Sequence, residues 1–248
     1  MYDILDLHTH TLASGHAYNS LYEMARAASE KGLALYGCCD HAPAMPGSCH
    51  EFYFSNFKVI PRELFGVKIL MGAELNIMNP QGEVDLSERL LKKLDYAIAS
   101  LHTPCIKPGT CEENTAAYLN ALKNPYIHII GHPDDGRYPI DQEAVVRAAK
   151  ENHKLLELNS SSLPPRNSRP NALELDTTLL KLCMEYEQPI LIGSDAHIAE
   201  DVGNHKSAHK LLDELHFPEE LVANTSLEKL AAYLPVMKRR MEEGWSRD

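Results

Sequence analysis

The sequence predicts an α/β barrel assembled from seven successive β/α units. Three observations carry this reading. Strand-like and helix-like runs alternate along the chain, which implies a parallel sheet with right-handed crossovers. The length of 248 residues suits one barrel-sized domain over residues 1–248 and suffices to bury a large core. Metal-binding residue types recur at the C-terminal ends of the strand-like runs, the face on which α/β barrels place their chemistry. An open, doubly wound sheet is the structural alternative.

The first strand ends in Asp6-Leu7-His8-Thr9-His10. Residues two apart in an extended chain share a face, so His8 and His10 project together as a pincer for a transition metal. Residues 20–31 have helical periodicity and stop at Gly32, a C-terminal cap. Residues 33–40 form the second strand, ending in Asp40-His41, and a Pro-rich loop follows over 42–48. Phe52, Tyr53, Phe54 and Phe57 cluster in a segment without an assigned element; they are expected to cover the core or to line or cover a pocket as a lid. Residues 67–76 form the third strand, with Gly72-Ala73-Glu74 near its end, and Asn79-Pro80-Gln81-Gly82 marks a turn. A helix over 87–93 precedes the fourth strand, 96–102, which ends at His102. A helix over 112–123 precedes the fifth strand, 127–132, closed by Gly131-His132-Pro133. Asp141 caps a helix reaching 152. The sixth strand, 154–160, leads into a loop with Arg166 and Arg169, then a helix over 172–187. The seventh strand, 189–195, is followed by Ala196-His197. Two helices, 204–215 and 226–241, complete the chain.

The formal net charge is -11, with 35 acidic and 24 basic residues. That balance disfavours nucleic acid or an anionic membrane as the main partner, while leaving room for a local basic patch that binds phosphate. No basic segment followed by an apolar core opens the chain and no apolar run spans a bilayer, so a cytoplasmic location is expected. The six cysteines contain no Cys-x-x-Cys pair, and Cys38 and Cys39 read as small core residues.

Together the motifs resemble the PHP family, named for polymerase and histidinol phosphatase domains, and above all its stand-alone YcdX-like phosphatases. The residues that carry the resemblance are His8 and His10, His16 in Ser14-Gly15-His16, His41 in Asp40-His41, Glu74, His102, His132 before Pro133, and Asp195 and His197 in Gly193-Ser194-Asp195-Ala196-His197. They run in order over about residues 3–235. The resemblance implies a distorted, TIM-like (β/α)7 barrel holding three divalent transition-metal ions, zinc first, with manganese or iron as alternatives. It places one ion on His8, His10, Glu74 and Asp195. A second is placed on Glu74, His102 and His132, with Glu74 bridging, and a third on His16, His41 and His197.

The chemistry is consistent with this. Imidazoles and a few carboxylates suit zinc, manganese or iron, and the lack of clustered thiolates argues against a structural zinc site. A carboxylate-bridged pair of ions can acidify a shared water to a hydroxide nucleophile and offset charge on phosphoryl oxygens. Asp195 is a ligand first, with a proton-shuttle role left open, and no side-chain nucleophile is assigned. Asp6 and Asp40, close in sequence to ligands, are candidates for orienting histidines. Arg137, Lys107, Arg166 and Arg169 lie in loops on the same face, and at least one is expected to meet phosphate; Arg137 is the first choice. Ser160, Ser161 and Ser162 are further candidate donors, or simply a turn. His50 follows the second strand and is left ambiguous. His128 starts its strand at the far end, and His153 and His216 read as solvent-facing. His205 and His209 are four apart but lack a third partner, so they read as a polar helix face.

The expected function is a metal-dependent phosphoesterase that hydrolyses a small phosphomonoester with a metal-bridging hydroxide at a trinuclear site. The alternatives are a nuclease-type phosphodiesterase and a non-catalytic metal-binding regulatory domain. An amidohydrolase-type barrel also begins with His-x-His, but it would have a bridging lysine after the fourth strand, where this chain has His102.

Overall fold

The computed structural model describes residues 2–163 and 169–246. Seven strands join in one parallel sheet: β1 (Leu5–Asp6), β2 (Leu35–Cys38), β4 (Val67–Asn76), β5 (Tyr96–Ser100), β6 (Ile129–Ile130), β7 (Leu155–Asn159) and β8 (Ile190–Gly193), in that spatial order. A short β3 (Glu63–Leu64) pairs antiparallel with β4. The seven parallel strands curl into a nearly closed barrel. Their helices are α1 (Leu21–Glu30), α2 (Glu88–Leu91), α3 (Cys111–Ala121), α4 (Gln142–Glu151), α5 (Ala172–Glu185) and α6 (Lys206–Leu215), followed by α7 (Leu227–Ala231) and α8 (Pro235–Glu243).

Two apolar layers hold this arrangement. Leu5, Leu7, Leu35, Leu70, Tyr96, Ile98, Ile129, Leu155 and Leu191 come from all seven strands and fill the interior, where Leu230, Leu234 and Met237 from the last two helices also pack. The other apolar faces of the strands meet the surrounding helices. Alternation along each strand thus sorts residues between two buried faces, and the strands read as apolar runs.

The edges β1 and β8 do not form a ladder. At one end the His10 N–H donates to the Ala196 carbonyl at 2.8 Å. At the other end Asn224 fills the gap. Its Nδ2 donates to the carbonyls of Ile192 (2.8 Å) and Leu5 (3.2 Å), and its Oδ1 accepts the Ile192 N–H at 2.7 Å.

The elements follow the sequence reading, with differences at their ends. Ser20 and Glu23 form a capping box on α1, as do Thr110 and Glu113 on α3. The strand expected over 127–132 pairs only through Ile129–Ile130, because His132 turns out of the ladder with φ of 29°. The helix expected over 226–241 is two helices, broken where Pro235 starts the second. The β3–β4 hairpin was not expected. Phe65 and Gly66 turn it with φ of 52° and 79°, the left-handed pair a tight hairpin needs.

Candidate metal centre

The strand ends on one face converge on Glu74, which β4 carries into the barrel mouth. His8 and His10 follow β1, His41 follows β2, His102 follows β5, His132 follows β6, and Asp195 and His197 follow β8. The loop after β1 makes a short 3-10 turn over Leu12–Ser14 and adds His16. All nine residues singled out in the sequence are brought together. Five imidazoles face the Glu74 carboxylate: His41 at 2.7 Å, His132 at 2.9 Å, His102 at 3.1 Å, His8 at 3.4 Å and His10 at 3.5 Å. The rings form a closed circuit around it, passing from His132 to His8, His10, His197, His16, His41, His102 and back, with neighbouring centroids 4.3 to 6.0 Å apart.

Hydrogen bonds behind the rings fix which nitrogen faces inward. Asn76 Oδ1 accepts from His102 Nδ1 at 2.8 Å, and the Asp195 carbonyl accepts from His197 Nδ1 at 2.8 Å. Ser14 Oγ accepts from His10 Nδ1 at 3.0 Å while donating to Asp40 at 2.7 Å. Glu157 Oε1 accepts from His8 Nδ1 at 2.6 Å, and its Oε2 accepts the His132 N–H at 2.8 Å. Each of these rings thereby turns Nε2 toward the centre, the arrangement metal-ligating histidines adopt. Asp40 therefore acts on His10 through Ser14. Asp6 does not reach a ligand imidazole; it accepts from Ser194 Oγ and the Gly203 N–H and pins β1 to the loops after β8.

Asp195 and His132 sit at φ of 53° and 29°, conformations that side-chain-bearing residues adopt at a cost and that cluster at functional sites. Glu157 was not singled out in the sequence. It sits beneath the centre, against Gly193. A Cβ on Gly193 would fall 2.0 Å from Glu157 Oε1, so glycine is required there for the carboxylate to reach His8.

The donor set fits transition metals. His8 Nε2, His10 Nε2, His41 Nδ1 and Glu74 Oε2 are buried without hydrogen-bond partners, an arrangement too costly to persist unless something else binds those atoms. Burial, with the His41 and His197 imidazoles, holds His10 well below the usual imidazole range, and burial brings His102 to about 4. Both are thus neutral and able to ligate at neutral pH. Burial opposes ionisation of Glu74 and Asp195, but the facing imidazoles outweigh it and keep both carboxylates well below their usual range. His8 is pushed down by burial but raised overall by Glu157 and Glu74; a dication at its Nε2 would displace that proton.

A cavity of 620 Å³ opens over the centre, lined by ligand-set residues together with Met45, Leu101, Pro104, Arg137 and Arg169. Arg137 is anchored by Asp135, whose oxygens accept from its Nε at 2.9 and 3.0 Å and from a terminal nitrogen at 2.6 Å. Arg169 donates to Asp195 Oδ2 at 3.0 Å and to Ser162 at 2.8 Å. Ser161 Oγ lies 3.4 Å from the same Asp195 oxygen. Arg166 lies outside the described residues. Lys107 and His50 do not line the cavity.

Of the two roles open to the aromatic cluster, the structure shows the core and overturns the pocket lid. Phe54 and Phe57 are buried in the outer core with Tyr53 against them, Tyr53 donates to Asp40 at 2.8 Å, and Phe52 is exposed. The cluster covers the core and lines no part of the cavity, because the chain before β3 packs against the outside of the sheet. His128, His153 and His216 lie away from the centre, as expected; the His128 Nδ1 accepts the Ala97 N–H.

A family model described as PHP domain matches residues 6–161. The chain belongs to the PHP family. Relatives match nearly its whole length. A protein named probable phosphatase from Clostridium novyi is 48% identical over 231 residues, 93% of this chain and 94% of that protein. Another, from Caldanaerobacter subterraneus subsp. tengcongensis, is 48% identical over 242 residues, 97% of this chain and 94% of that protein. In fold, the chain is similar to histidinol phosphate phosphatase from Lactococcus lactis, solved with zinc, L-histidinol and phosphate. The TM-score is 0.59 at 21% identity, covering 87% of this chain and 95% of that one. Among the described residues no helix is long and apolar enough to cross a membrane.

Proposed function

We propose that this PHP chain hydrolyses a small phosphomonoester at a centre of three divalent transition-metal ions, zinc first, ligated by His8, His10, His16, His41, Glu74, His102, His132, Asp195 and His197. That the chain is a hydrolase of phosphate esters follows from its family and its relatives' names. The observation that carries the rest is the Glu74 carboxylate, faced by five imidazole nitrogens and with buried donor atoms around it left unpaired.

Bound ions of this kind supply Lewis acidity to a phosphoryl group and acidify water. The protein's own groups do the positioning. Glu157, Ser14 and Asn76 fix the tautomers of His8, His10 and His102. Arg169, Asn159 and Ser161 hold Asp195 Oδ2, leaving Oδ1 toward His10 at 3.2 Å. Arg137 sits at the cavity wall with Asp135 bracing it, placed to meet phosphoryl oxygens as a fork. Met45, Leu101 and Pro104 offer an apolar wall to the organic part of the ester. A strand of nucleic acid would need a basic, aromatic-lined track, and among the described residues the cavity lining holds two arginines and no Phe, Tyr or Trp.

The test is kcat/KM for small phosphomonoesters beside single-stranded DNA at equal metal loading. Monoesters are expected to be preferred. DNA cleaved with equal or higher efficiency would replace this reading with a nuclease.

A further inference from the structure

A second set of metal-type side chains is gathered away from the Glu74 centre. Asp3 precedes β1. His205 and His209 lie one turn apart at the start of α6, a spacing that puts both rings on one helix face. In sequence this pair lacked a third partner; the fold supplies it. Asp3 Oδ2 is 2.7 Å from His205 Nδ1 and 2.7 Å from His209 Nε2. The separation equals that between His41 Nδ1 and Glu74 Oε2, at 2.7 Å.

The pattern of contacts is informative. One oxygen of Asp3 takes both imidazoles, while Oδ1 is buried with no hydrogen-bond partner, and His205 Nε2 is buried with no partner closer than Asp6 Oδ1 at 3.6 Å. The two hydrogen bonds satisfy Oδ2 and leave the buried Oδ1 without a donor, a position a cation would fill. The ligand atoms of Asp3, His205 and His209 all lie within 4.8 Å of one another, close enough for one ion to take all three in place of the two hydrogen bonds. The His205 side chain is 3% exposed and that of Asp3 7%, whereas that of His209 is 27% exposed, which leaves a way in from solvent. Two imidazoles and one carboxylate suit zinc and other first-row dications, with water completing the shell.

We infer that Asp3, His205 and His209 form a further transition-metal site, separate from the Glu74 centre. It clamps the residues entering β1 to α6, beside the open seam of the barrel. His205 Nε2 also lies 3.6 Å from Asp6 Oδ1, and Asp6 holds the loops after β8, so the clamp braces that seam.

The experiment counts zinc by elemental analysis in the full chain and in His209→Ala after saturation with zinc and removal of loose metal, with aryl phosphate turnover measured on the same samples. The variant should hold one equivalent less than the parent, with unchanged turnover. The difference does not depend on how many ions the Glu74 centre holds. His209→Gln, which keeps an amide to hydrogen-bond Asp3, gives the same reading if the alanine variant fails to fold. Equal zinc in parent and variant overturns the site. Loss of turnover along with the zinc overturns its separation from the Glu74 centre.

Discussion

Glu157 joins parts of the site that lie far apart in the chain: it accepts from the ring of His8 and from the backbone of His132, and Asn159 links it to Asp195. Replacing it by glutamine leaves its shape but removes the charge that fixes the His8 tautomer. Glu157→Gln should lower metal affinity or kcat/KM about 10–100-fold with an unchanged circular dichroism spectrum; full activity and metal content would mean His8 is held without it. His16 gives the opposite case. It is exposed in a polar loop, so His16→Ala should change the stability of the metal-free chain by no more than about 0.5 kcal/mol while reducing metal content and turnover. A loss of several kcal/mol in urea unfolding would make His16 structural. At His205, burial lowers the pKa, but the Asp3 and Asp6 carboxylates raise it from 6.5 to about 9. With the folded pKa above the unfolded one, the ion pair's contribution in metal-free protein is complete below pH 6.5 and is lost as pH rises through 9. The stability gap between parent and His205→Gln, measured without metal, should therefore shrink by up to about 3 kcal/mol over that window; a constant gap would place the proton elsewhere. Glu74 and the eight residues around it were legible because their types seldom recur at strand ends without a reason. Glu157 was not, although a charge at an inward position between Leu155 and Asn159 of an apolar strand was the available signal.

Among the elements, the seam between β1 and β8 is bridged, at the end away from the metal centre, by the Asn224 side chain. Asn224 satisfies the Ile192 N–H and the carbonyls of Ile192 and Leu5, all out of reach of water. Asn224→Ala strands these groups, and each buried, unpaired group costs about 1–3 kcal/mol. We expect a loss of roughly 2–4 kcal/mol in urea unfolding; a loss under about 0.5 kcal/mol would mean that the seam closes without it. Apolar periodicity located every parallel strand and the main helices, because a barrel strand buried on both faces and an amphipathic helix leave different patterns. Strand ends were read too long where ligands must turn inward, as at His132. The hairpin at Glu63–Leu64 left no pattern because its two residues are not a β-former pair. The last helix was read as continuous across Pro235, although proline at that position announces a new start.

For the molecule as a whole, an acidic chain carries a cavity in which histidines meet Arg137 and Arg169, cations placed to receive an anionic group. The apolar wall of Met45, Leu101 and Pro104 matches a compact ester. What the sequence could not convey at this scale is the way chain ends meet: Asp3 reaches α6 and Asn224 reaches β1, contacts between residues about two hundred positions apart. The central claim is that the Glu74-centred cluster is where phosphate esters are hydrolysed. It is tested most directly by kcat/KM for a small aryl phosphate, measured on the metal-loaded chain and on Glu74→Gln in parallel. Turnover by the parent is expected, with a fall of about a hundred- to a thousandfold in the variant, the order of effect seen when a group central to transition-state charge is removed. Equal turnover by the two proteins would contradict it.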